Sequence, residues 1–394
     1  MPVAVYVFSV CTFAFGLSEF VAAGLISAMA ASLGASIEAA GAAIAAYALG
    51  AAIGAPLVTA LLAPWTDRRI LTLAMAVLAL GSVLMSLSPT LPVLLGVRFV
   101  VGLAHGVFMA VASDAATRLV AAPRAGRALS VVWIGLTLAL ALGVPLGTFL
   151  GSIWSWRAIF AGVGVLALAG AIGLLRYMPV RGQGKPQAAV RAGLRALAHP
   201  RMLATAGVGA LVSVATFSFF TFISPYLLQV TQADVRWLSA AMLLFGLCSI
   251  AGNLFGGYLA DAMDADQAAL LALAALAANL SGLYLLRDSG LAVVALAGVL
   301  GMVFFCIVTM LTLRLLKLAQ RHVPESTAVA AGLNIASFNL GTAVGGGLGS
   351  LTIVHAGLAW LPLVGAVAAV AAMAALRLQR PRTQARDIAR QPRG

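Results

Sequence analysis

The chain has 394 residues, of which 62% are hydrophobic and 9% charged, with a formal net charge of +13. That is too little charge to coat a soluble globule and too much apolar character for a disordered chain. The basic residues sit between apolar runs and at the tail, so they make no face for nucleic acid; the runs are continuous over about 20 residues, the length of a bilayer-crossing helix and not of an alternating barrel strand.

Twelve such runs occur in order: 3–27, 39–62, 70–87, 93–117, 128–152, 158–176, 202–226, 237–260, 267–286, 291–313, 327–352 and 358–376. The first resembles a signal peptide around Ala28-Met29-Ala30, but it has no basic leader and carries Glu19, so a retained first helix is expected. Breaks such as Pro64–Arg69 and Ser88–Pro92 separate the early spans. The longest break, Tyr177–Pro200, holds Arg181, Lys185, Arg191 and Arg195 and divides the chain near its midpoint. With the N-terminus inside, 20 of the 24 Lys and Arg fall on the inner side; Arg157, Arg236 and Arg287 fall outside, and Arg98 lies within a span. Lys and Arg favour cytoplasmic loops, so both termini are expected in the cytoplasm. The expected fold is an all-α polytopic membrane protein: a bundle at 1–176, a basic linker at 177–200, a second bundle at 201–376 and a basic tail at 377–394.

Taken along the chain, the residues that stand out are those that cost most in lipid. Glu19, Arg98 and His105 are charged or titratable groups inside spans, where each needs a reason to be. The first span runs outward and the fourth inward, which puts Glu19 and Arg98 at similar depth. His105 comes seven residues after Arg98, two turns along the same face. Burial and a neighbouring arginine act in opposite senses on a carboxyl group, so such a cluster can leave Glu19 able to exchange a proton, and His105 titrates in a useful range. A static ion pair that fixes packing is the plainer alternative. Asp114, near the inner end of the fourth span, is placed to reach Arg68 or Arg69 in the adjacent loop, or Arg118 one turn on. Phe217 and Phe220 on the seventh span, with Met302 and Phe305 on the tenth, offer an apolar, aromatic wall, and Asn334 on the eleventh adds an amide.

An internal repeat is also legible. Leu142-Gly143, Gly147 and Gly151-Ser152 recur 198 residues later as Leu340-Gly341, Gly345 and Gly349-Ser350. Glycines four apart give one helix face on which a neighbour can pack closely. A duplicated six-helix unit is therefore expected. No phosphate-binding loop or metal-ligand spacing appears, so no cofactor is expected. Cys11, Cys248 and Cys306 all lie within spans and read as small packing residues.

With these residues in place, the sequence resembles the major facilitator superfamily in its drug/proton antiporter branch, over essentially the whole chain. Gly143-Val-Pro145-Leu-Gly147 looks like the branch's antiporter motif, and Arg98 with Gly102 and Gly106 is similar to its intramembrane arginine motif. Pro64-Trp-Thr-Asp67-Arg68-Arg69 stands where the family has a conserved loop, keeping the terminal arginine pair but placing Ala60 at the first glycine and Pro64 at the usual aspartate. Ser18-Glu19-Phe20 with Gly24-Leu25, and Arg98 with His105, look like the sugar-efflux and chloramphenicol-exporter group. The resemblance implies two pseudo-symmetric six-helix bundles and alternating access. It implies proton coupling at Glu19, Arg98 and His105, and a cytoplasmic gate at Arg68, Arg69 and Asp114. Its cargo cavity would be lined by helices one, four, seven and ten. The expected partners are a small uncharged or amphipathic substrate, protons and lipid, with the protein a monomer in a bacterial inner membrane. An uncoupled facilitator or importer of the same fold is the alternative; a membrane-embedded enzyme is a more distant one.

Overall fold

A computed structural model describes residues 1–62, 64–121, 124–179, 199–322 and 327–379. Most of the predicted linker and nearly all of the tail lie outside the described residues. The described residues form twelve long helical segments: α1 Val3–Leu33, α2 Ile37–Leu61, α3 Asp67–Ser86, α4 Leu91–Arg118, α5 from Ala125–Leu138 on to Val144–Ile153, α6 Trp156–Tyr177, α7 from Pro200–Phe220 on to Tyr226–Val230, α8 Val235–Ala262, α9 Ala265–Leu285, α10 Gly290–His322, α11 Thr327–His355 and α12 Leu361–Leu378. Among the described residues, eleven of these are long and apolar enough to cross a membrane; α11, which is rich in glycine, is the long helix outside that set.

The segments sit where the hydropathy places them, and several run longer. α10 continues past the predicted end at residue 313 through Arg314 and Lys317. An apolar run ends where the bilayer does, but a helix can go on into the headgroup region with long basic side chains reaching water. Three segments contain a wide, π-helical turn, and each is tied to a proline. Pro56 lies inside Gly54–Val58, Pro145 comes just after Ala139–Gly143, and Pro225 precedes Tyr226–Val230. A proline lacks the N–H that would bond four residues back and crowds that carbonyl, so the helix loosens around Pro56 and ahead of Pro145, while the bond that Pro225 lacks falls at Thr221, upstream of its wide turn. In α7 the loosening becomes a true break at Thr221 and Phe222.

Glycines set the closest approaches, and the two halves repeat them. A Cβ added at Gly102 of α4 would lie 2.0 Å from the Tyr47 carbonyl oxygen of α2; one at Gly301 of α10 would lie 2.3 Å from that of Phe245 in α8. Gly54 meets the Leu103 carbonyl at 2.2 Å as Gly252 meets that of Met302 at 2.1 Å. The repeated glycines of α5 and α11 also face matching partners. Gly143, Gly147 and Gly151 lie on Leu17, Val21 and Leu25 of α1, while Gly341, Gly345 and Gly349 lie on Ala210, Val214 and Ser218 of α7. At one end of the bundle the two halves are tied by specific side chains. There Ser224 donates to Ser27 at 3.0 Å, Ser350 donates to the Glu38 carbonyl at 2.8 Å, and the Phe222 ring fills the space over Gly41 and Gly349.

Candidate functional site

The close α2–α4 contact allowed by Gly102 and Gly106 carries Tyr47 into the core of the first half, where its hydroxyl donates to the Phe15 carbonyl of α1 at 3.3 Å. Around that contact the three predicted polar residues come together. Arg98 is wholly buried. Its guanidinium donates to the backbone carbonyls of Ala43 at 2.5 Å, Ser18 at 3.1 Å and Glu19 at 3.4 Å, and its carbon lies 4.8 Å from the centre of the Tyr47 ring. A buried cation is tolerable in lipid when it is saturated with acceptors and flanked by an aromatic face. Arg98 thus ties α1, α2 and α4 together.

Glu19 and His105 complete the cluster. Glu19 Oε2 lies 3.5 Å from His105 Nδ1, a charge-range contact longer than a good hydrogen bond. The imidazole stacks on Phe15, with ring centres 4.9 Å apart and planes within 8°, and tilts against Tyr47. The expected grouping of Glu19, Arg98 and His105 is therefore present. One feature of its geometry is invisible in the sequence: the arginine holds the α1 backbone at Glu19, and the carboxylate's close partner is His105.

Glu19 also lines a small cleft between the halves. Its walls are Phe20, Ala23, Ile44 and Ala48 from the first half, and Phe217, Phe220, Thr221 and Thr342 from the second. Of the predicted cavity residues, Phe217 and Phe220 are on this wall. Phe305 belongs to the aromatic network behind it: Phe217 packs on Phe20 and Phe304, Phe220 stacks on Phe245 at 4.1 Å, and Phe305 touches Phe245 and Phe304. Met302 is half-buried, and its backbone seats Gly252 of α8. Asn334 lies along α11 from the cleft and donates to Thr312 at 2.9 Å.

At the end of the bundle where α2 meets α3, Arg118 bridges two carboxylates, Asp67 at 2.7 Å and Asp114 at 3.2 Å, and so joins α4 to the start of α3. Arg68 donates to the Leu175 carbonyl of α6, and Arg69 is exposed. The polar contacts of the predicted gate thus centre on Arg118. The second half repeats the bridge, with Arg314 of α10 3.5 Å from Asp266 of α9. Gly143 and Gly147 of the predicted antiporter motif face α1, and Pro145 is buried beside them. A close contact of this region with the second half falls one turn earlier, where the Leu140 carbonyl meets Gly246 of α8.

Tyr47 and Phe15 are site residues that the sequence alone does not single out, and the pairing of Arg118 with Asp67 is a contact that it does not reveal. A tyrosine in mid-span is a signal for the first. Nothing marks Phe15 among 17 phenylalanines.

Residues 8–329 match the model of the Major Facilitator Superfamily. A Streptomyces lividans protein named a chloramphenicol resistance protein is 36% identical over 361 residues, 90% of each chain. The inner membrane transport protein YdhP of Escherichia coli K12 is 33% identical over the same share of both chains. A probable sugar efflux transporter of Helicobacter pylori is 27% identical, over 92% of this chain and 91% of its own. With its membrane-crossing helices, repeated glycine contacts and a family match over most of its length, the chain is a multi-pass membrane protein that belongs to the major facilitator superfamily.

Proposed function

We propose that this protein exports small uncharged or amphipathic compounds from the bacterial cytoplasm in exchange for protons. It sits in the inner membrane with both termini inside, and residues 1–176 and 201–376 act as two bundles that rock about the cleft, joined by the linker at 177–200. The observation that carries the reading is the place of Glu19: it lines a cleft that both halves share, with its carboxylate against His105 and its backbone carbonyl held by Arg98. Closing the cleft over an ionised carboxylate costs desolvation, and a bound proton removes that cost. Proton binding and release at Glu19 can therefore bias which way the cleft opens, and the neighbouring imidazole is placed to receive or return the proton. The aromatic walls suit an uncharged cargo, in keeping with the names of the chloramphenicol and sugar-efflux relatives.

The test is efflux of a phenicol from proteoliposomes under an imposed pH gradient. Glu19→Gln is expected to abolish gradient-driven efflux while leaving the melting temperature in detergent close to wild type. Full gradient-driven transport by a well-folded Glu19→Gln protein would refute coupling at this carboxyl.

A further inference from the structure

The second half has a polar feature of its own, set apart from the walls of the Glu19 cleft. The hydroxyl of Thr309 on α10 is 2.9 Å from Asn253 Oδ1 on α8, and Asn334 of α11 donates to Thr312, one turn further along α10, at 2.9 Å. All four side chains are half-buried. Each pair uses one heteroatom of its amide, leaving the Asn253 amino group and the Asn334 carbonyl oxygen for another partner.

Amides and hydroxyls in a membrane bundle commonly serve as glue between helices. The internal repeat supplies a control against that explanation. The glycine contacts pair α2 with α8 at an offset of 198 residues and α4 with α10 at 199. On those offsets Asn253, Thr309 and Thr312 correspond to Ala55, Ala110 and Ser113. Asn334, on the α5–α11 offset of 198, corresponds to Leu136. The first half makes the same helix contacts with neither amide, so packing does not require them.

Their position points toward the cleft. On α11, Asn334, Phe338 and Thr342 are spaced by four, so they form one stripe; Phe338 touches Phe304, and Thr342 is on the cleft wall. On α10, Phe305 and Thr309 share a face, and the Thr309 hydroxyl also reaches the Phe305 carbonyl. The polar pairs thus continue the aromatic wall by one to two turns.

We propose that Asn253, Thr309, Thr312 and Asn334 form a neutral polar subsite that hydrogen-bonds an uncharged ligand bearing hydroxyl or amide groups. This rests on the reading that the cleft carries cargo, and it is independent of proton coupling. Aromatic walls hold the body of the ligand, and the amide–hydroxyl pairs read its polar end.

The experiment is protection of an introduced thiol, which needs no gradient. Thr309→Cys in the full-length protein in detergent is treated with a water-soluble maleimide, against wild type, in which Cys11 and Cys306 are buried and the half-buried Cys248 sets the background labelling. The probes are chloramphenicol and its diacetate, which keeps the aromatic body and masks both hydroxyls. Labelling above wild type is expected, with chloramphenicol protecting at about fivefold lower concentration than the diacetate, the worth of roughly one hydrogen bond. Asn334→Leu placed in the same background should remove that difference while the melting temperature holds. No labelling above wild type would mean the pairs are sealed helix glue, and would overturn the proposal. So would equal protection by both probes, or none by either. Loss of coupling in Glu19→Gln leaves this readout untouched, so the two readings fail separately.

Discussion

Where α4 of the first half carries Arg98 and His105, α10 of the second carries Ala297 and Phe304 at the same offset of 199 residues. Glu19 of α1 corresponds to Val212 of α7 at the α1–α7 offset of 193, and Tyr47 to Phe245 at the α2–α8 offset of 198. Around these positions the backbones pack alike, glycine against carbonyl. The fold therefore demands the glycines and leaves the interior chemistry free: one half fills its core with a saturated cation, a carboxylate and an imidazole, the other with interlocking phenylalanines. Polar groups that a twin helix pair does without are retained at a cost in lipid, and that cost marks where function lies.

The comparison breaks most severely at Arg98. Replacing it with leucine leaves the carbonyls of Ala43, Ser18 and Glu19 without their donor. At ~0.6–2 kcal/mol for each of three interhelical hydrogen bonds, the loss should be about 2–6 kcal/mol. It should appear as a clear fall in melting temperature in detergent, while Ala297→Ser at the matching site changes little. A wild-type melt for Arg98→Leu would mean that the three-helix tie is not structural.

A finer contrast lies in the repeated glycines. A Cβ at Gly341 would be 2.1 Å from the Ala210 carbonyl oxygen, which is backbone, whereas one at Gly143 would meet the Phe13 ring at 3.0 Å and the tip of Leu17. Side chains can move and backbone cannot without shifting a helix. Gly341→Ala should therefore cost about 1–3 kcal/mol, and Gly143→Ala clearly less. Equal melting temperatures for the two variants would show that the apparent difference in crowding relaxes away.

The smallest effects belong to the paired bridges. Arg118 is 47% exposed in its side chain, so its ion pairs with Asp67 and Asp114 should contribute about 0.2–1 kcal/mol and fade with added salt. Arg314, with a side chain only 17% exposed, should matter more to stability and depend less on salt. Melts of Arg118→Ala and Arg314→Ala at low and high salt decide it; the reverse order would undo the burial argument.

Much of this is legible in the sequence. Spans are readable because lipid permits few structures, and the repeat is readable because glycines at spacing four have one common use. Glu19, Arg98 and His105 can be grouped because three polar residues at matched depth have few places to go. What stays hidden depends on side-chain direction. That Arg98 donates to carbonyls and leaves the Glu19 carboxylate to His105 requires knowing how closely α1 and α2 approach. Arg118 is legible as an i+4 neighbour of Asp114, but its second partner, Asp67, lies 51 residues away and depends on how α3 enters the bundle. The Asp266–Arg314 bridge has a signal in the near-199 spacing from Asp67, visible only once its counterpart is known to matter.

The three proline-linked wide turns have a consequence for sequence length. An α-helix spaces residues 100° apart around its axis, and a π-helical turn absorbs one extra residue while the next turns keep their facing. At Ala139–Gly143 that slack lies just ahead of the face on which Gly147 and Gly151 meet Val21 and Leu25. Deleting Ala141 can therefore be absorbed by tightening the wide turn to an ordinary one, with both glycines still on α1. Deleting Leu146, in the regular turn beyond, has no such slack and would swing Gly147 and Gly151 about 100° off α1. The wide turns are thus the places where a span of this fold can lose a residue and keep the angular phase of its glycine face.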